Sequence, residues 1–71
     1  MKSNIRATKF YKHLTPDKAV FICEGLEEAT PEQKLASWQY LVDKNLTAQL
    51  QGWFGRTARD LISQGLIKAK K

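Results

Sequence analysis

Few residues in this chain could attack, ligate or titrate near neutral pH: it holds one cysteine, Cys23, and one histidine, His13. A thiol becomes a nucleophile when an imidazole takes its proton and a third group orients the ring. Neither that third group nor an oxyanion site can be assigned here. One Cys and one His cannot close a zinc site or a disulfide framework, and no glycine-rich phosphate loop is present. The expectation is a non-enzymatic binding protein with no catalytic residue, cofactor or metal, in which Cys23 is a small buried hydrophobe kept reduced.

Charge is the next candidate for chemistry. Twelve Lys and Arg against seven Asp and Glu over 71 residues give a net charge of +5. Lys2, Arg6, Lys9 and Lys12 lie before residue 14, and Lys68, Lys70 and Lys71 lie after residue 64, with no acid in either end. Residues 14–64 contain all seven acids and sum to −2. Two basic arms on a mildly acidic body can grip a polyanion such as nucleic acid, or can simply keep the protein soluble. No run approaches a membrane span, and residues 1–14 have no apolar signal core, so no membrane partner is expected.

The elements that must position these residues are punctuated by Thr15-Pro16 and Thr30-Pro31, each an N-cap hydroxyl before a proline at the first helical position. Thr30 and Gln33 have capping-box spacing. The spacing predicts a helix over 31–44 with Leu35, Trp38, Leu41 and Val42 on one side and Glu32, Gln39 and Asp43 on the other. Residues 15–28 read as a further helix, or as a β-prone run at 19–23 that pairs with 5–11. Over 47–64 a stripe of Leu46, Leu50, Phe54, Thr57, Ala58, Leu61 and Ile62 predicts a helix ended by Gly65. The fold class is all-α: one domain over 1–71, a small bundle of two to three helices built on a hairpin at 31–64, with a basic arm at 1–13 and a basic tail at 65–71.

Gly52 and Gly55 lie inside that last helix, where each costs about 1 kcal/mol against alanine. If the helix is continuous, the glycine edge accepts a neighbouring backbone in a homodimer or on a partner protein, with Trp53, Tyr40, Arg56 and Arg59 as further interface candidates. If it breaks at Gly52–Gly55, Ala48, Gly52 and Leu61 have the spacing of a helix-turn-helix. Arg56, Arg59, Asp60 and Ser63 then face a DNA groove, with Lys68 and Lys70 as further contacts.

The stretch from Trp38 to Ile67 resembles a family of short proteins encoded by tailed bacteriophages. Gln39, Leu41, Val42, Asp43, Gln49, Leu50, Gln51, Gly52, Gly55, Arg56, Thr57, Ala58, Leu61, Ile62 and Gly65 fit its pattern. Lys44-Asn45 stands where that family more often has Thr-Gly, and Asn tolerates the left-handed turn expected there. The resemblance implies a phage protein made in the cytoplasm of an infected bacterium. It implies no activity. Small phage proteins of this kind often bind a host or phage protein, and Gln49, Gln51, Arg56 and Thr57 either hold the hairpin together or meet that partner.

Overall fold

The threonine hydroxyls act as the sequence predicts. Thr15 Oγ1 accepts from Lys18 N at 3.3 Å, and Thr30 Oγ1 accepts from Gln33 N at 3.1 Å while Gln33 Oε1 accepts from Thr30 N at 3.0 Å. A computed structural model describes residues 5–70. A short 3-10 turn at Ile5–Ala7 precedes α1 (Lys9–Lys12), α2 (Pro16–Cys23), α3 (Pro31–Asp43) and α4 (Gly52–Ser63). The fold is all-α, with no strand among the described residues. The strand pairing of 5–11 with 19–23 does not form. Caps at Thr8 and Thr15 commit both segments to helix despite their β-prone side chains. Lys2 and Lys71, counted in the basic ends, lie outside the described residues.

Three helices stop in the same way. Gly25, Asn45 and Gly65 take φ values of +81°, +59° and +77°. Behind each, a leucine amide reaches back to the last turn: Leu26 N to Phe21 O, Leu46 N to Leu41 O and Leu66 N to Leu61 O, at 2.8 to 3.0 Å. These are Schellman ends, in which a left-handed residue turns two orphan amides onto the final carbonyls. The expected stop at Gly65 and the left-handed Asn45 are both present.

Two expectations need correction. Helix α3 is not one-sided, because Ala36 to Val42 are all buried, seven residues in succession. Such a helix is covered on every side. The N-terminal segment and α2 pack against it, α4 meets it through aromatic rings, and the tail after α4 closes over Gln39. Helix α4 begins at Gly52 rather than near residue 47, because Leu46 is used in the α3 stop and residues 47–50 turn back on it, Gln49 N donating to Leu46 O at 2.9 Å. Gly52 therefore occupies the first helical position, where glycine is tolerated better than in an interior.

The core joins Leu14, Ala19, Ile22, Trp38, Leu41, Phe54, Ala58 and Ile67. On α4 only Phe54 and Ala58 are fully buried; Leu50, Leu61 and Ile62 are half-buried around them. Leu41→Ala and Phe54→Ala are expected to cost about 3 to 5 kcal/mol each, and Leu61→Ala less than half of that. Urea midpoints check this ranking.

Candidate functional site

The outer face of α4 gathers the residues singled out above. Gly52, Arg56, Arg59, Asp60 and Ser63 are all exposed, at spacings of three and four residues that place the charged set on one side of a helix. Phe54 and Ala58 bury the opposite side. Among the described residues neither Arg56 nor Arg59 forms an ion pair with a carboxylate.

Trp53 flanks this face, half-buried and held in place. Its ring stacks on Phe54 with centroids 4.0 Å apart and stands edge-on to Trp38 at 6.1 Å. Its Nε1 donates to Gln51 Oε1 at 3.1 Å. Three aromatic rings from α3 and α4 thus fix where α4 starts and leave part of Trp53 in solvent.

The two glycines have room for side chains. A Cβ at Gly52 would meet only the end of the Arg56 guanidinium, at 3.4 Å, and one at Gly55 would meet Thr47 O at 3.9 Å, an ordinary contact. Neither has a positive φ. No neighbour within the described chain requires glycine at either position.

The other candidates lie elsewhere. Tyr40, expected as an exposed interface anchor, is buried at 9% exposure, edge-on to Tyr11 with centroids 5.8 Å apart and covered by Lys44, whose Nζ is 5.6 Å from the ring. Burial of α3 on all sides takes it off the surface. Lys68 and Lys70 are exposed on the tail. The helix-turn-helix does not form within 47–64. Residues 47–50 are turns and the glycines lie inside the first turns of α4, so no helix precedes them. Cys23 is half-buried, and burial, then the charge of Glu24, pushes its thiol up to about 12, so no thiolate is available near neutral pH. His13 ends α1 with Nδ1 2.9 Å from Lys9 O. No cluster of three or more metal-ligating side chains occurs among the described residues.

Sequence reasoning missed the polar junction that holds α3. Arg6 grips Asp43 with two bonds, Nε to Oδ2 at 2.7 Å and Nη2 to Oδ1 at 2.6 Å. Tyr11 Oη donates to Oδ2 at 2.6 Å and Gln39 Nε2 to Oδ1 at 3.1 Å. Gln39, only 2% exposed, also receives Lys68 N at its Oε1 and donates to Lys68 O, both at 2.7 Å. Arg6 Nη2 completes the closure at Ala69 O, 3.1 Å away. Arg6, assigned by sequence to a free basic arm, is thus held in an ion pair. The signal was Gln39 and Asp43 four apart on a helix, one turn, which sequence reasoning had put on the solvent side.

No family model, curated protein or solved structure matches this chain. No described helix is long and apolar enough to cross a membrane.

The junction gives stability a pH signature. Burial acts to raise the Asp43 pKa, but hydrogen bonds from Arg6 and Tyr11, the Arg6 charge and Gln39 outweigh it, and the carboxyl sits below its ordinary 3.8. A depressed carboxyl stabilises the fold above about pH 4, and that contribution is lost as pH falls through the folded value. Tyr11 is pushed up to about 12 by burial and by its bond to Asp43. Its contribution is complete below pH 10 and lost as pH rises toward about 12. Thermal melts across pH are expected to decline on both sides. Asp43→Asn should flatten the acid limb, and Tyr11→Phe the alkaline limb at a cost near 1.5 kcal/mol at pH 7.

Proposed function

We propose that this chain is a non-enzymatic phage protein that acts inside the infected bacterium by docking the amino-terminal half of α4 onto a host or phage protein. The phage origin rests on the resemblance of residues 38–67. The docking surface rests on one observation: Gly55 weakens the interior of a helix at a position with room for a Cβ, and Gly52, one turn earlier at the helix start, has room for one as well. A stability loss with no reason inside the chain has a reason outside it, the close approach of another backbone. Trp53, rigid and half-exposed beside the glycines, supplies the aromatic anchor, and Arg56 with Arg59 supplies charge at the rim.

A nucleic-acid partner is the second reading. It is favoured by Arg56 and Arg59, exposed on the same face as Ser63 and without an ion pair among the described residues. Such binding would weaken steeply with salt and would be removed by nuclease.

Gly55→Ala is expected to raise stability by about 0.5 to 1 kcal/mol while weakening docking, and Gly52→Leu to abolish docking with the melting temperature kept. Capture from bacterial lysate with and without nuclease reads the partner class. Nuclease-resistant capture lost in Gly52→Leu supports the protein reading. Capture lost with nuclease and in Arg59→Ala supports nucleic acid, and capture indifferent to all three substitutions contradicts both.

A further inference from the structure

Two apolar spots on the surface carry opposite charge. On α2, Phe21 is 48% exposed and Leu26, whose amide closes the helix onto the Phe21 carbonyl, is 71% exposed. Asp17 lies one turn before Phe21 on α2, Glu24 caps the helix one turn after it, and Glu27 and Glu28 follow Leu26 directly. Lys18, the cation within this spot, is engaged by Glu27 at 2.6 Å. Asp17, Glu24 and Glu28 form no ion pair among the described residues. At the end of α4, Leu66 is 44% exposed and is followed by Lys68 and Lys70, whose side chains are exposed while Gln39 holds the Lys68 backbone.

We infer that the Phe21–Leu26 spot of one copy receives the Leu66–Lys70 surface of a second copy, so that the chain associates head to tail. Charge decides among the self-pairings. Setting the α2 spot against itself opposes Asp17, Glu24 and Glu28 to their own copies, and setting the tail against itself opposes Lys68 and Lys70 to theirs. Only the mixed pairing brings carboxylates to ammonium groups around joined leucine and phenylalanine side chains. The contact is heterologous, so each added copy leaves one spot and one tail free until a ring closes. It uses neither Gly52 nor Gly55, so it stands apart from the docking surface on α4.

Sedimentation velocity of the full chain, from micromolar to millimolar concentration at low and at high salt, tests this. At low salt the weight-average coefficient is expected to climb above that of the monomer, and at high salt to return to it. Phe21→Ser, a change at an exposed position, should weaken association at least about tenfold with the melting curve unchanged. Glu24→Lys with Glu28→Lys in one chain, and Lys68→Glu with Lys70→Glu in another, should each be monomeric alone and associate when mixed. A native chain that stays monomeric at low salt overturns the inference. So does a closed dimer indifferent to Phe21→Ser, or a mixture of the two folded charge-reversed chains that does not associate.

Discussion

The carboxylate of Asp43, joined to Gln39 one turn earlier on α3, ties the segments before and after the central helix to it. Buried polar groups cost free energy unless every one is bonded, and this pair is bonded completely: Arg6 and Tyr11 arrive from the N-terminal segment, and the Lys68 peptide arrives from the C-terminal tail. No buried side-chain nitrogen or oxygen is left without a partner among the described residues. The segments that carry Arg6, Tyr11, Lys68 and Ala69 are thereby closed onto α3. Their closure buries Leu14 and Ile67 and lets α3 be covered on every side.

This arrangement explains which parts of the fold were legible in the sequence. Helix starts were legible because Thr-Pro pairs carry their own chemistry, and helix stops because Gly65 and Asn45 supply a left-handed residue where one is needed. The buried side of α4 was legible from Phe54 and Ala58 on the helical wheel. The role of Gln39 and Asp43 was not, because polarity on a helix usually marks the solvent side, and only the long-range arrival of Arg6 and Lys68 makes burial favourable. For the same reason Tyr40 read as surface and Arg6 as a free cation. The start of α4 was misplaced because Leu46 serves the stop of α3, a competition between neighbours that a single helical wheel does not represent.

Of the residues from 38 to 67 singled out in the sequence, most hold the fold. Gln39 and Asp43 form the junction, Leu41 and Ala58 are buried, and Gly65 ends α4. Gly52 and Arg56 do none of this and stand together on the exposed side of α4. The division separates a scaffold, held by the junction and by the packed rings of Trp38, Trp53 and Phe54, from an exposed surface that carries Gly52 and Arg56.

Native-state hydrogen exchange at the Lys68 amide, the proton that Gln39 Oε1 accepts, reads whether Gln39 clasps the tail. That amide is expected to exchange as slowly as amides in the middle of α3, opening only with global unfolding, and Gln39→Ala to accelerate it to the rate of an exposed tail. Exchange of the Lys68 amide in the native chain at the unprotected rate, with α3 still protected, would mean that Gln39 does not hold the tail.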